Sequence, residues 1–355
     1  MTAAPASPLL SWYRAVKRDM PWRRDVSAYR TLVSELMLQQ TRVETVIPYF
    51  ERFTAEFPTV QALAAAPESR VLELWAGLGY YSRARNLQRA AQAVALAGGF
   101  PSTVEGLRAL PGVGPYTAGA IASIALGLPA ALVDGNVERV LARLHAMPDA
   151  GAALRRRVWE QAEAAVLAAE HLEVGSAGDH NQALMELGAT VCTPRSPRCG
   201  SCPVATGCEG RGDPERYPAK EAKKASPTVS ATALVQVVEG RVWLVRRPPG
   251  LLGGLWEPPI TAQWLADPGE SVGAVTHVFS HRKLIVDVRV RSGAARAREP
   301  QPLPEPVLTT GAYVEEAWVP LGEVEFRALS RLAWKVLDAA RAAGFSSGTT
   351  AEPER

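Results

Sequence analysis

All four cysteines of the chain fall in one short segment, Cys192, Cys199, Cys202 and Cys208, spaced C-x6-C-x2-C-x5-C. Whatever fold the chain adopts must accommodate that cluster. Four thiolates this close in sequence can enclose one compact inorganic centre. A zinc ion and a [4Fe–4S] cluster both accept four cysteine ligands. Zinc sites more often show two C-x2-C pairs on separate knuckles. Here one such pair is flanked by single cysteines, which favours iron and sulfide. Clustered cysteines with none elsewhere point to a metal-binding, cytosolic chain and away from disulfides. Arg195, Arg198 and Arg211 lie among the ligands and would bring basic groups toward phosphate.

The pattern before and after this segment differs. From about residue 8 to 190, apolar residues recur at three and four spacing among Ala, Leu, Arg and Glu. That periodicity predicts packed helices. Pro/Gly breaks separate them at Phe57-Pro58-Thr59, Gly98-Gly99-Phe100-Pro101, Pro111-Gly112 and Gly127-Leu128-Pro129. Beyond the cysteines, β-branched runs at 228–238, 242–246, 275–279 and 284–290 predict strands. Residues 291–306 read as a loop and Phe326 to Ala343 as a last helix. We expect a multidomain chain: an all-α domain over 1–216 that includes the cysteine loop, a linker over 217–227, a smaller α+β domain over 228–345, and a disordered tail over 346–355.

Net charge is +3, so any nucleic-acid binding would depend on a local basic patch. No apolar run reaches the length of a membrane span, and the first ten residues lack the pattern of a secretory signal. We expect no membrane association and a cytoplasmic location.

Leu110-Pro111-Gly112-Val113-Gly114-Pro115-Tyr116 joins two helical stretches. Gly112 and Gly114 permit tight backbone geometry and bare N–H groups at the start of the next helix, a place that attracts anions. The segment reads as a helix–hairpin–helix that holds a DNA phosphate without reading sequence. A plain Gly/Pro turn between packed helices would look the same.

Two carboxylates stand in informative settings. Glu35 lies in S-E-L-M-L-Q-Q-T-R, where helical spacing would put Glu35, Leu38, Gln39 and Arg42 on one face. An acid among apolar neighbours is a candidate for a raised pKa and for general-acid work. Asp134 lies in L-V-D-G-N-V-E-R-V, just before an apparent helix starting near Asn136. Asp caps helix starts, and a helix start favours its charged form. One protonated acid and one charged carboxylate are what glycosidic bond cleavage needs.

Taken together, these segments resemble the helix–hairpin–helix glycosylases, specifically the MutY-type adenine DNA glycosylases. The matching segments, in order, are S-E-L-M-L-Q-Q-T-R-V (34–43), G-L-G-Y-Y-S-R-A-R-N-L (77–87), L-P-G-V-G-P-Y-T-A-G-A-I (110–121), V-D-G-N-V-x-R-V-L-x-R (133–143), the four cysteines, and T-H-V-F-S-H (276–281). The resemblance implies a [4Fe–4S] cluster on Cys192, Cys199, Cys202 and Cys208. It implies that Glu35 protonates N7 of a flipped adenine, that Asp134 steadies the sugar cation, and that Asn136 supports Asp134. Trp22, Arg23, Leu38 and Glu186 match an adenine pocket. Gln40 and Tyr80 match residues that wedge into the duplex, and Gln39, Gly112 and Gly114 join them as DNA contacts.

Relatives that also cut DNA carry a hairpin lysine, which forms a Schiff base with the sugar. Tyr116 stands there instead and is counted with the catalytic group. Lys17 is the only lysine before position 220, which argues for a monofunctional glycosylase. Residues 228–343 resemble the family's Nudix-like domain, with Arg247-Pro248 and L-L-G-G-L-W-E (251–257) at its turn. The R-E-x-x-E-E helix of the hydrolases is missing, so the domain should bind and not hydrolyse nucleotides. Phe279, Ser280 and His281 match a loop that senses 8-oxoguanine.

The implied partner is double-stranded DNA holding 8-oxoguanine:A or G:A mispairs, met by a monomer in a bacterial nucleoid. Three other readings compete: an endonuclease-III-like lyase for oxidised pyrimidines, a DNA-docking module without catalysis, and a nucleotide hydrolase. The missing hairpin lysine, the two carboxylates and the missing carboxylate helix argue against them in turn.

Overall fold

The computed structural model describes residues 7–219, 227–262, 269–279, 282–291 and 304–344. Contacts group the chain into two compact units. One comprises Met1–Val71 with Ser82–Lys223, and the other Leu72–Tyr81 with Lys224–Arg355. The segment Leu72–Tyr81, which reads as helical-domain sequence, therefore clusters with the second unit. There the Tyr81 hydroxyl donates to the carbonyl of Leu329 at 2.9 Å.

The first unit is built from helices. Those that position the site are Pro8–Val16, Ala28–Leu38, Gly135–Leu144, Gly151–Leu172 and Ala177–Thr190. Their apolar faces meet in one core in which Leu132, Val137, Val140 and Leu141 pack with Leu184 and Leu187. Burial of those faces, more than helix propensity, holds the helices in place.

Two local features depart from the sequence reading. The helix carrying Glu35 does not run on to Arg42; it ends at Leu38, and Gln40 takes a φ of +56°. The cause is tertiary. The buried Arg83 guanidinium donates to the carbonyls of Leu36 and Met37 at 2.8 and 3.0 Å and also to that of Gln39. It thus satisfies the end of the helix that further turns would otherwise have satisfied. Arg42 instead precedes the next helix, Val43–Glu56. The second departure follows the hairpin. Pro115–Ala120 is α-helical, but Ile121–Ala125 widens into a π turn, with the Leu126 N–H donating to the Ile121 carbonyl at 3.2 Å.

The second unit holds a seven-stranded sheet among its described residues: β1 (Thr228–Val238), β2 (Arg241–Arg246), β3 (Trp256–Glu257), β4 (Ile260–Thr261), β5 (Glu270–Phe279), β6 (Arg282–Arg291) and β7 (Glu315–Pro320). The order is β3-β2-β1-β6-β5, with β4 also on β1 and β7 also on β2. β1 and β6 run parallel and the other pairs antiparallel. Val235, Val286 and Val288 pack under Leu332, Val336 and Leu337 of the helix Arg331–Ala342. That helix starts at Arg331, not at Phe326, because Ser330 caps it: its side chain accepts the Ala333 N–H at 3.0 Å. At the turn, Arg247 and Glu257 form a buried ion pair at 2.5 Å, and the Tyr313 hydroxyl donates to Glu257 at 2.7 Å.

Ser280 and His281, most of the 291–306 loop, and the 346–355 tail lie outside the described residues.

Candidate active site

Glu35 sits in the last turns of Ala28–Leu38 and is 4% exposed. A mid-helix carboxylate has no spare backbone N–H to accept, so burial dominates its titration. Burial raises it from an ordinary 4.5 to about 7, against the pull of a hydrogen bond from Tyr116. The nearby Asp134 charge pushes it further up, and Arg23 draws it down. Tyr116, in the first turn after the hairpin, donates its hydroxyl to Glu35 Oε2 through a short bond. Its own phenol is pushed well above the usual range by burial and by the two carboxylates.

Asp134 caps the helix Gly135–Leu144, accepting the Val137 N–H at 2.7 Å. Asn136 Nδ2 donates to its other oxygen at 3.1 Å. Asn136 is held in turn: Arg139 donates to Asn136 Oδ1, to the Gly188 carbonyl and to the Cys192 carbonyl, each at 2.8 Å. Gly188 makes that approach possible, because a Cβ there would stand 2.6 Å from Asn136 Cβ.

Glu35 and Asp134 open onto one cavity of about 540 Å³, large enough for a nucleoside. Asn136, Tyr116, Trp22, Arg23, Leu38, Glu186, Gln39 and Gln40 line the same cavity. Glu186 lies at its back, 1% exposed, paired with Arg18 at 2.5 Å and Arg23 at 3.0 Å. Burial alone would raise its carboxyl, but the two arginines outweigh that and hold it below the ordinary range. Trp22 meets the edge of Phe50 with centroids 5.4 Å apart.

Sequence reasoning missed Arg18, Gln182, Met185 and Ile124, which also line the cavity. Gln182 and Glu186 share a face by i, i+4 spacing, and Gln182 accepts from Arg23 at 3.1 Å, so the pair was findable. Ile124 reaches the cavity from within the π turn, which no sequence pattern announced.

The hairpin turns at Gly112, whose φ is +73° and where a Cβ would lie 2.4 Å from Asn86 Cβ. Gly114 caps the following helix. Tyr80 belongs to the second unit; it has a φ of +48° and is half exposed. Phe279 ends β5, its ring 4.7 Å from that of His277.

The four cysteine side chains form no disulfide and face one small hollow with Arg143, Pro197 and Pro214. Arg143 is 2% exposed and donates to Cys192 Sγ at 3.4 Å and to the carbonyls of Thr193, Pro194 and Tyr217 at 2.7, 3.0 and 3.0 Å. A buried cation beside the sulfurs suits thiolate ligands. Arg195, Arg198 and Arg211 are exposed around the hollow. Among the described residues no helix is long and apolar enough to cross a membrane.

Comparison with known proteins agrees with this geometry. Residues 33–163 match the HhH-GPD superfamily base excision DNA repair protein, 192–208 the iron–sulfur binding domain of endonuclease III, and 231–339 a NUDIX domain. The cysteines are thus the ligand set of a [4Fe–4S] cluster. The chain is 38% identical to the adenine DNA glycosylase of Homo sapiens, over 79% of this chain and 65% of that one. It is 39% identical to that of Rattus norvegicus over 79% and 69%. For Schizosaccharomyces pombe the figures are 32%, 77% and 78%. The chain therefore spans about two thirds of the length of its mammalian relatives. Among solved structures, a thermostable thymine-DNA glycosylase is 28% identical with a TM-score of 0.50, covering 58% of this chain and 94% of that one.

Proposed function

The chain belongs to the adenine DNA glycosylases, and from that premise we propose that it hydrolyses the N-glycosidic bond of adenine mispaired with 8-oxoguanine or guanine in double-stranded DNA. The observation that carries the reading is the cavity that Glu35 and Asp134 share, in which burial pushes the Glu35 carboxyl up to about 7.

The roles follow from the two environments. Adenine must leave the stack to reach the cavity, at a cost of a few kcal/mol. Glu35 gives its proton to N7 of the base. The C1′–N9 bond then breaks, its electron pair goes to the base, and C1′ becomes cationic. Asp134, held by Val137 and Asn136, faces that charge until water adds to C1′ and passes its proton to a carboxylate, the one that Glu35 became when it protonated the base. Trp22, Leu38 and Ile124 give the base an apolar wall, while Arg18, Arg23, Gln182 and Glu186 form one polar edge to recognise it. When bound, the cluster would be held by the thiolates of Cys192, Cys199, Cys202 and Cys208 and would tie the 192–208 loop together.

The hairpin at Gly112 and Gly114 would hold a phosphate, and Gln39, Gln40 and Tyr80 would contact the duplex. Phe279, Ser280 and His281 would read the damaged guanine. With Tyr116 at the hairpin lysine's place, strand cleavage should be absent. Single-turnover adenine release from 8-oxoguanine:A, G:A and thymine-glycol duplexes tests the reading. We expect release from the first two and none from the third; base release from thymine glycol alone would overturn it.

A further inference from the structure

Arg83 is a buried cation that takes no part in bond cleavage. It is the second residue of the helix Ser82–Leu96, lies within G-L-G-Y-Y-S-R-A-R-N-L (77–87) and is 7% exposed. A guanidinium loses its hydration on burial and is tolerated where acceptors replace the water. Here four acceptors come from a single turn. One terminal nitrogen stands 2.8 Å from the Leu36 carbonyl and 3.0 Å from that of Met37, and it donates to the Gln39 carbonyl as well. The other meets Thr41 Oγ1 at 3.4 Å.

The rest of the turn closes on itself. The Thr41 N–H donates to the Leu38 carbonyl at 3.1 Å, and the Thr41 hydroxyl to the Gln39 carbonyl at 3.4 Å. Every carbonyl from Leu36 to Gln39 therefore has a partner although the helix has ended. Gln40 is the apex. It is exposed, its φ is +56°, and it lines the cavity that holds Glu35 and Asp134. A non-glycine residue keeps a left-handed φ only where its surroundings impose it. The bonds at Gln39 and Thr41, on either side, are those surroundings. The base of the clamp is itself fixed. Leu87 and Val94 of the same helix are fully buried, and Asn86 lies against the hairpin, where a Cβ on Gly112 would stand 2.4 Å from Asn86 Cβ.

We propose that Arg83 is a positioning residue for adenine extrusion: by fixing the turn from Leu36 to Thr41, it holds Gln40 in the shape that enters the duplex before any DNA arrives. The proposal rests on the reading of Gln40 as a duplex contact. A side chain already in place loses little freedom when it fills the gap left by a departing base, so more of its contact offsets the unstacking.

Extrusion is read with 2-aminopurine in place of adenine opposite 8-oxoguanine, because this base fluoresces when it leaves the stack. In stopped-flow mixing with the holoprotein, Arg83→Met, which removes every donor, should slow the rise roughly ten- to a hundredfold. Gln40→Ala should slow it to a similar degree. The double variant should be no slower than the slower single one, because both changes disable the same device. The Glu35 carboxyl is set by burial, Tyr116, Asp134 and Arg23. The alkaline limb of base release from 8-oxoguanine:A should therefore stay where it is in Arg83→Met. In the unaltered holoprotein, amide exchange at Thr41 should be as slow without DNA as with a duplex whose adenosine carries 2′-fluorine, a substituent that opposes the sugar cation and keeps the bond intact. The proposal is overturned if Arg83→Met extrudes at the parental rate, if the two losses multiply in the double variant, if the alkaline limb moves, or if Thr41 is protected only once DNA binds. Parental extrusion by Gln40→Ala would instead remove the duplex-contact reading, and the proposal with it. Adenine release by the unaltered protein tests the glycosylase reading separately. The exchange measurement needs no variant, so a failure of Arg83→Met to fold leaves that test standing.

Discussion

Replacing Glu35 by Gln should separate what this side chain does for chemistry from what it costs the fold. The carboxyl is 4% exposed, and its pKa moves from 4.5 to about 7, chiefly through burial. In the unfolded chain it releases its proton near its ordinary value, whereas in the folded protein it keeps it to about 7. The folded state therefore binds more protons between those limits. Glu35's contribution to stability is complete below about 4.5 and is lost as pH rises to about 7. Above that the deficit is about 3 kcal/mol.

Gln cannot ionise, keeps the side chain's length, and its carbonyl can still accept from Tyr116. Glu35→Gln should thus match the parent near pH 4.5 and exceed it at pH 8.5. For a unit of this size 1 kcal/mol is worth roughly 2–4 °C, so the gain in Tm should be about 6–12 °C. Base release should fall by roughly 10²- to 10⁴-fold, the usual worth of a positioned proton donor. Thermal unfolding of the holoprotein across pH 4.5–8.5, beside single-turnover base release, measures both. Parallel Tm curves for parent and variant would refute the burial argument, and retained base release would refute the assigned role.

Three further outcomes are expected. Tyr116→Phe removes the one hydrogen bond that lowers the Glu35 pKa, so the alkaline limb of the single-turnover pH–rate profile should move to higher pH; an unmoved or acid-shifted limb counts against the link. Gly188→Ala places a Cβ 2.6 Å from Asn136 Cβ and should destabilise by roughly 1–3 kcal/mol, with base release down about tenfold or more at unchanged iron content; wild-type turnover would show that the Asn136 contact does not position Asp134. Ser280→Ala combined with His281→Ala should narrow the preference for 8-oxoguanine:A over G:A, and equal discrimination by parent and variant would remove the lesion-sensing role.

Some of this molecule was legible in its sequence because the causes are local. The Asp134 cap, the Gly112 turn and the grouped thiols each depend on residues a few positions apart, as do β1, β2 and β6 with their β-branched runs. What escaped depends on distant partners. The end of the Glu35 helix is fixed by Arg83, which lies 44 residues from Gln39, and no nearby breaker marks it. Arg18 is invisible until Glu186 arrives from 168 residues away. β3 and β4 are two residues each and too short to show alternation, while β7 begins with two glutamates and has no β-branched run to announce it. Ser330 was a readable cap, but the apolar residues before it extended the expected helix too far.

The two carboxylates owe their division of labour to their positions more than to their residue types. Inside a helix every backbone N–H near Glu35 is committed to a carbonyl, so the side chain meets apolar walls and a single phenol, and the proton stays. At a helix start the first N–H groups lack internal partners, so Asp134 finds a donor at each oxygen. The same helix then carries Arg139 and Arg143, one turn apart, into the cysteine loop. Asp134 is therefore held by its cap and, through Asn136 and Arg139, by the loop around the cluster, while Glu35 is held by burial and one phenol. A carboxylate that must hold still as charge develops opposite it gains from such anchoring. A proton donor gains more from a dry wall, and each group has the surroundings that its role requires.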